Sequence, residues 1–360
     1  MCESSKPQLP HSPPVMATLS IMRNAISANP VRVLPPRHSL HYLGYSAIYT
    51  GTCSPTVFDL VARHLLYPDL EDLFTELWEL DANRLELGKD LILDPQGTRL
   101  HNSMHKLVEI NGSSSYVPNP PKDNAPKPLF SYVNKTRLLT SPTYQGVASN
   151  FFVAFIELIP SYNPDILVNE TVSSEKLLAQ SKFITAVMQT AVMQKVRGYL
   201  EERKLISPGE KAFKELLFQM WFRSYQRRKR LSSSAFEHVF LGEGRGSQTL
   251  GFHYWLPMYL HESEGALDYF GYYEQRRGRL QNTLSVAFMW NANWLKKYAT
   301  FMFGTSPEFD LGLYTVAFLR MKSTIPSGFR YALSLRVMNS RLALQCYQID
   351  EKTLGSCYVV

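Results

Sequence analysis

The stretch 236-FEHVFLGEGRGSQTLGFHYW-255 marks the point where the pattern of the sequence changes. Before it, apolar residues recur at helical spacing. After it, the chain breaks into short aromatic and β-branched runs bounded by turn residues, a pattern typical of strands. Helices that precede strands along a chain predict an α+β fold, here a helical N-terminal part followed by antiparallel β-sheets. The stretch itself carries His238 and His253 on either side of a glycine-rich link that contains Glu243 and Arg245.

The two patterns divide a single predicted domain, residues 66–360, into a helical part (66–231) and a β-rich part (232–360) that carries the candidate active site. Helices are predicted from amphipathic spacing at 70–85, 143–162, 173–204 and 207–230. Either of the two serines at 173 and 174 is the expected N-cap of the third helix. Strands are predicted at 235–243, 248–260, 284–304, 311–321, 330–338, 341–349 and 356–360.

The remaining residues, 1–65, are rich in Pro and Ser and show little periodicity, which predicts a low-complexity, disordered extension. No apolar run approaches the roughly eighteen residues that a transmembrane helix needs, so we expect no membrane span. The net charge of +7 favours polyanionic partners, and nucleic acid is the first of these to consider. We expect the chain to act as a monomer.

The four cysteines are Cys2, Cys53, Cys346 and Cys357, and no CxxC motif occurs. Their separations fit neither a structural zinc site nor a dense disulfide framework. Cys346 and Cys357 are close enough in sequence to pair across neighbouring strands, but we expect free buried thiols.

The histidine pair has four possible interpretations. Two histidines in strand-like runs can be hydrogen-bonded core residues. With Glu237 and Glu243 nearby they can also form a zinc site, although there is no HxxxH and no neighbouring cysteine. The glycines of 242–246 do not match a phosphate-binding GxGxxG or P-loop motif. Finally, two imidazoles that the glycine-rich link brings together can act as a general base and a general acid.

RNA offers a use for such a proton-transfer couple. Its 2′-hydroxyl attacks the adjacent phosphate once a base removes the proton, while an acid protonates the departing 5′-oxygen. That reaction also needs a cation to stabilise charge on the phosphorane oxygens. The run WLKKYATF supplies Lys296 and Lys297 in the predicted strand region.

The motifs resemble the EndoU (XendoU-type) endoribonuclease family, cellular relatives of the coronaviral uridylate-specific endonuclease. The family pattern Glu-His-Val-Phe-x-Gly-Glu is matched at 237–243, and Gly-Phe-His-x-Trp at 251–255. A later block is matched by FGTSPEFDLGLYT, at 303–315. Upstream, LWELDANRL, DPQG and PLFSYVNKTRLLTSPTY are also similar to family segments. The resemblance covers about 70–360 and leaves the extension unexplained.

The resemblance implies a role for each matching catalytic position. His253 corresponds to the general base on the 2′-hydroxyl, and His238 to the general acid on the 5′-oxygen. The family's catalytic lysine precedes the Ser-Pro-Glu-Phe block by ten positions, which from Ser306 gives Lys296. The family often has Lys-Pro there, whereas this chain has Lys-Lys, so Lys297 is the alternative.

The resemblance also implies residues around this catalytic set. Ser356 and Tyr358 match a Thr/Ser-x-Tyr element that holds the uridine, although an ordinary terminal strand gives the same pattern. Glu237 and Glu243 match acidic positions that support the histidines, and Glu243 can equally satisfy a turn. Cellular members of the family are stimulated by Mn²⁺, for which the sequence identifies no ligands.

The implied function is cleavage of single-stranded RNA at uridines by transesterification, which leaves 2′,3′-cyclic phosphate and 5′-hydroxyl ends. DNA lacks the 2′-hydroxyl and should not be cut. The alternative is an RNA-binding protein on the same scaffold with weakened or lost catalysis. The basic run 223–234 either gathers the RNA backbone, serves as a nuclear address or forms the solvated end of a helix.

Overall fold

A computed structural model describes residues 67–96, 127–139, 151–227, 230–275, 282–324, 330–350 and 353–360 of the chain. The predicted extension, residues 1–65, lies outside these ranges, so its disorder stays a prediction. Among the described residues, no helix is both long and apolar enough to cross a membrane.

The first part of the chain is mainly helical. Its elements are α1 (Pro68–Leu80), β1 (Leu91–Leu93), β2 (Phe130–Val133), α2 (Lys135–Leu139), α3 (Phe151–Leu158), α4 (Ser174–Met188), α5 (Ala191–Glu202) and α6 (Glu210–Leu217). α1 buries Leu70, Leu73, Phe74 and Leu77, the spacing that forms one apolar face of a helix. The helix predicted there is therefore confirmed, and its buried face packs against α5 and the end of the β-rich part.

The segment 173–204 forms two helices, α4 and α5, where the sequence predicted one. Thr190 interrupts the helical path with an extended backbone (φ −76°, ψ 151°), and its hydroxyl accepts a hydrogen bond from the N–H of Met193. Such a cap satisfies a backbone donor at the start of a new helix, which apolar periodicity alone does not reveal. Ser173 caps α4 in the same way, as one of the two predicted serines.

The helix predicted at 207–230 is wrong in its second half. After α6 come a π-helical turn (Phe218–Phe222), β3 (Tyr225–Arg227) and β4 (Arg230–Ser233). β3 and β4 pair as an antiparallel hairpin, and the Tyr225 hydroxyl donates to the carbonyl of Gly355 in the last strand. These long-range contacts override the helical propensity of the basic run.

Two larger sheets make up most of the second part. Their strands are β5 (Glu243–Arg245), β6 (Gln248–Leu250), β7 (Leu267–Gln275), β8 (Thr283–Trp290), β9 (Trp294–Met302), β10 (Arg330–Val337), β11 (Ser340–Asp350) and β12 (Thr353–Val359). The first sheet has the order β5-β6-β9-β8-β7 and is antiparallel except where β6 meets β9. The second is an antiparallel meander, β10-β11-β12. The predicted α+β class is confirmed.

Three of the predicted strands are helical instead. The run 235–243 contains a π-helical turn (Glu237–Leu241), 248–260 continues from β6 into α7 (Trp255–Ser263), and 311–321 lies within α8 (Pro307–Thr324). α8 is buried on all sides from Pro307 to Phe318. A helix without a solvent face has no amphipathic period, so its composition cannot be distinguished from that of a buried strand.

The expectation of free thiols at Cys346 and Cys357 is wrong. The two residues are directly opposite each other in β11 and β12, their Cα atoms lie 3.9 Å apart, and a disulfide joins them. Sequence spacing allowed the pair but did not give the register of the two strands, on which the bond depends.

Candidate active site

A cleft of about 480 Å³ opens between the two larger sheets, with β9 on one side and β11 and β12 on the other. Six of the residues that line it carry groups able to transfer protons, bear charge or hold a base: Arg227, His238, His253, Lys296, Ser356 and Tyr358. Five of these six positions were predicted as site residues from the sequence. The structure brings them together from four separate elements and the loop that carries His253.

His238 lies in the π-helical turn, with its Nδ1 at 2.6 Å from Oε2 of Glu243. We assign the Nδ1 proton to this hydrogen bond, which leaves Nε2 as the nitrogen available to the cleft. Burial lowers the pKa of His238, and the Glu243 carboxylate opposes that shift. Glu243 thus contacts the imidazole of His238, and its supporting role in the reaction stays a prediction.

Glu243 is fully buried, and its carboxylate is surrounded by polar groups of other residues. It accepts from the hydroxyl of Ser233, and Nη2 of Arg227 lies 3.4 Å from its Oε2. Burial acts to raise the pKa of Glu243, but His238 and Arg227 outweigh it and hold the pKa below its usual range. The carboxylate is thus ionised and fixed in place behind the imidazole.

His253 follows a sharp turn at Gly251 (φ 58°) and Phe252 (φ 63°). Its N–H donates to the carbonyl of Val239, which anchors the turn to the segment that carries the first histidine. A Cβ atom at Gly251 would lie 1.8 Å from the carbonyl oxygen of His238, so only glycine allows this approach. The centroids of the two imidazole rings are 6.4 Å apart.

The His253 ring stacks on Tyr358, with ring centroids 4.0 Å apart and an interplanar angle of 4°. The ring is buried, and its Nδ1 has no hydrogen-bond partner among the described residues. Burial holds the pKa of His253 well below its usual value, and the charges of Lys296 and His238 lower it further. The imidazole is therefore neutral at neutral pH and able to accept a proton.

Lys296, rather than its neighbour Lys297, lines the cleft. Neighbouring side chains point to opposite faces of a strand, which separates the two lysines. The Lys296 ammonium donates to the carbonyl of Gly251, at the turn before the second histidine. Burial lowers the pKa of Lys296 to about 8.

Ser356 and Tyr358 lie on the same face of β12, as alternate residues of a strand do. The Tyr358 hydroxyl accepts a hydrogen bond from Nε2 of Gln345 at 3.1 Å. The Ser356 hydroxyl is buried without a hydrogen-bond partner among the described residues. The Ser356 hydroxyl is therefore free to donate or accept a hydrogen bond beside the Tyr358 ring.

The structure does not bring Glu237 into this group. Its side chain is fully buried, and neither carboxyl oxygen has a hydrogen-bond partner among the described residues. Burial raises the pKa of Glu237 well above its usual value, with the charges of Glu170 and Glu243 adding to the shift. Glu237 thus lies as a protonated acid next to the site and bonds to neither histidine.

Sequence reasoning missed Arg227, which enters the site from the β3–β4 hairpin. Its Nη2 lies 2.9 Å from Nδ1 of His238 and donates a hydrogen bond to the Tyr225 hydroxyl at 3.2 Å. The residue was visible only as part of a basic run at the end of a predicted helix. No local sequence pattern predicts that Arg227 reaches the cleft, because the β3–β4 hairpin that positions its side chain depends on contacts with β12.

The cleft does not offer a conventional ligand set for a divalent metal. Among the described residues, no three His, Cys, Asp or Glu side chains form a group that could hold an ion. The carboxylate in the site, Glu243, is already engaged by Ser233, Arg227 and His238. Lys296 and Arg227 add positive charge, which disfavours a resident cation here.

The family model described as Endoribonuclease XendoU matches residues 69–359. The chain belongs to the XendoU endoribonuclease family. The match takes in nearly the whole described structure, including every residue of the cleft discussed above.

Relatives within the XendoU family are similar over most of the domain. The chain is 33% identical to poly(U)-specific endoribonuclease-B of Xenopus laevis over 261 residues, which cover 70% of this chain and 81% of the relative. It is 32% identical to uridylate-specific endoribonuclease B of Danio rerio over 299 residues, 81% of this chain and 95% of the relative. The solved structure of XendoU, a splicing-independent snoRNA-processing endoribonuclease, superposes with a TM-score of 0.64 at 28% identity, covering 81% of this chain and 96% of XendoU.

Proposed function

We propose that this chain is an endoribonuclease that cleaves single-stranded RNA at uridines and leaves 2′,3′-cyclic phosphate and 5′-hydroxyl ends. The observation that carries the proposal is the arrangement of two histidines with ring centroids 6.4 Å apart and one buried lysine around a single cleft. The names of the family's relatives, poly(U)-specific and uridylate-specific endoribonucleases, support the same reaction and base.

In the proposed reaction, His253 takes the proton of the 2′-hydroxyl because its imidazole is neutral. The 2′-oxygen forms a bond to phosphorus while the bond from phosphorus to the 5′-oxygen breaks. As that bond breaks, His238 in its imidazolium form gives the Nε2 proton to the departing 5′-oxygen, while Glu243 fixes the ring through Nδ1. Lys296 stabilises the negative charge that develops on the phosphorane oxygens.

Base selection is assigned to β12, where the Tyr358 ring, stacked on His253 on one side, lies beside the unengaged hydroxyl of Ser356. A pyrimidine ring needs both a stacking surface and a hydrogen-bond partner on its edge. DNA is not expected to be cut, because it has no 2′-hydroxyl to attack the phosphate. Action as a monomer stays a prediction.

Mn²⁺ dependence is implied by the family resemblance and stays a prediction. The cleft residues do not form a ligand set for the ion, so no step of the proposed reaction passes through a metal. A comparison of cleavage in EDTA with cleavage in added Mn²⁺ tests the dependence directly.

The test is cleavage of a labelled oligonucleotide that contains one ribouridine, with His253→Ala, Lys296→Ala and Lys297→Ala beside the wild type. Wild type should release a cyclic phosphate at that uridine. The first two variants should lose cleavage by about 100-fold or more, the effect of removing one acid–base or charge-stabilising group. Lys297→Ala, the matched control, should cleave like wild type. Binding of intact RNA by wild type without cleavage would favour the alternative of an RNA-binding protein.

A further inference from the structure

Tyr298 is an aromatic side chain of the cleft that the proposed reaction does not use. It lies on β9 two residues after Lys296, beyond the start of an irregularity in the pairing of β9 with β8. The side chain lines the cleft and is 42% exposed. It is separated from the aromatic face assigned to uridine, because Tyr358 belongs to the other sheet.

The Tyr298 ring is held in position by two neighbouring strands. Its hydroxyl donates to Oγ of Ser285 on β8 at 3.0 Å, and Ser285 in turn shares a hydrogen bond with Thr300 at 2.9 Å. The ring also packs against Tyr273 of β7, with centroids 5.5 Å apart. An exposed ring that is fixed in this way can bind a flat partner at little cost in side-chain entropy.

We propose that Tyr298 is the stacking platform for the base of the nucleotide next to the cleaved uridine. Tyr298 and Lys296 line one cleft and lie two residues apart on β9, so an RNA strand whose scissile phosphate meets Lys296 brings a neighbouring base to the Tyr298 ring. A base offers its face to an aromatic ring only when it is unstacked from its neighbours, as in a single strand.

The platform deepens the proposed function and rests on it, since the neighbouring nucleotide is defined by the uridine in the cleft. Stacking on an aromatic ring tolerates any base, because every base has a π-face. Tyr298 should therefore strengthen binding of single-stranded RNA without adding a second base preference.

The experiment measures binding of three oligonucleotides in which a 2′-deoxyuridine replaces the cleavable uridine. One is complete, one is abasic on the 5′ side of that uridine and one is abasic on its 3′ side. Tyr298→Ala should weaken binding of the complete oligonucleotide by about 5- to 150-fold, the loss expected for one stacked base. It should leave the Kd for one of the two abasic oligonucleotides at the wild-type value.

Two further variants separate stacking from structure. Tyr298→Phe keeps the ring but not the hydrogen bond to Ser285, and should retain most of the affinity. Tyr298→Leu keeps apolar bulk without an aromatic face, and should behave like Tyr298→Ala. Equal weakening of all three oligonucleotides by Tyr298→Ala, no weakening, or no binding by wild type would each overturn the platform.

Failure of the proposed function gives a different result. The deoxyuridine oligonucleotides cannot be cleaved, so their binding reports on Tyr298 whether or not the chain is active. Absence of cleavage of the matching ribouridine oligonucleotide, with base-dependent binding intact, refutes the endoribonuclease proposal and leaves the platform standing.

Discussion

Glu237 and Glu243 stand six residues apart in one motif and have opposite protonation states. Glu243 is an ionised carboxylate on the Nδ1 side of His238, whereas Glu237 is buried without a polar partner among the described residues and is held protonated. Both were predicted as supporting residues, because the sequence shows two acids beside a histidine. Which of them faces the imidazole depends on the π-helical turn, and the sequence did not predict that turn.

The first prediction compares Glu243→Gln with Glu237→Gln. The Glu243 charge raises the pKa of His238, so its loss lets the general acid deprotonate at lower pH. The alkaline limb of kcat/KM should move to lower pH, and the rate near neutral pH should fall about 10- to 100-fold. Glu237→Gln replaces a protonated acid with a neutral amide, so the alkaline limb of kcat/KM should stay at the wild-type pH. Equal shifts in both variants would contradict this assignment.

The second prediction concerns Arg227, whose charge lowers the pKa of His238. Arg227→Gln should therefore move the alkaline limb to higher pH, opposite to the effect of Glu243→Gln. The acid limb of the kcat/KM profile reflects protonation of His253, which must be neutral to act as the base. Because the pKa of His253 is lowered, the midpoint of this limb should stay below pH 6.5. A pH profile of each variant between about pH 4 and 9 checks both directions. An alkaline limb that moves the same way in both variants would exclude His238 as its source.

At the scale of elements, the sequence predicted best where one face of an element meets solvent. α1 repeats and β10 alternates as amphipathic elements do, and both were predicted. The run 284–304 was predicted as one strand and forms two, β8 and β9, of which β8 is buried along nearly its whole length. The prediction of α8 as a strand was wrong because the helix has almost no solvent face. The prediction of β3 as helix was wrong because contacts with β12 decide its conformation. The cleft residues that lie on motifs were predicted from the sequence, whereas the place of Arg227 in the cleft depends on a hairpin that the sequence did not indicate.

The third prediction uses two glycines of the same turn region as a matched pair. Gly251 (φ 58°) and Gly246 (φ 59°) share a left-handed backbone, but only Gly251 faces an atom that a Cβ would strike, the carbonyl oxygen of His238. Gly246→Ala should cost about 1–3 kcal/mol of stability from backbone strain and keep activity. Gly251→Ala should cost more and abolish cleavage, because the two histidine segments must separate. Thermal melts and cleavage rates of the two variants provide the comparison.

At the scale of the whole molecule, α8 joins the helical part to the β-rich part. It packs against α1, α3, α4 and α5 on the helical side and contacts the strands of the β10–β12 sheet. Its first turn meets the end of α1 through buried acids: Nδ2 of Asn83 donates to Glu308 at 2.5 Å, and the N–H of Ser306 donates to Asp81 at 3.2 Å. The two predicted parts are thus one folded unit around a buried polar junction, which composition alone could not reveal.

The fourth prediction is that this junction makes stability depend on pH. Burial raises the pKa of Asp81 and of Glu308, and their mutual repulsion adds to the shift of Glu308. The folded state then binds protons at these two acids that the unfolded chain has released, so their contribution to the free energy of unfolding should decrease as the pH rises above about 4.5 through the raised folded pKa values. Glu308→Gln removes the larger of the two shifts. The change in its unfolding free energy from pH 5 to pH 8, measured by denaturant titration, should be more favourable to the folded state than the change in wild type. The comparison of the two proteins isolates Glu308, because the buried His238, His253 and His261 have lowered pKa values and act in the opposite direction in both. An equal change in the two proteins would show that Glu308 is ionised in the folded state at pH 5.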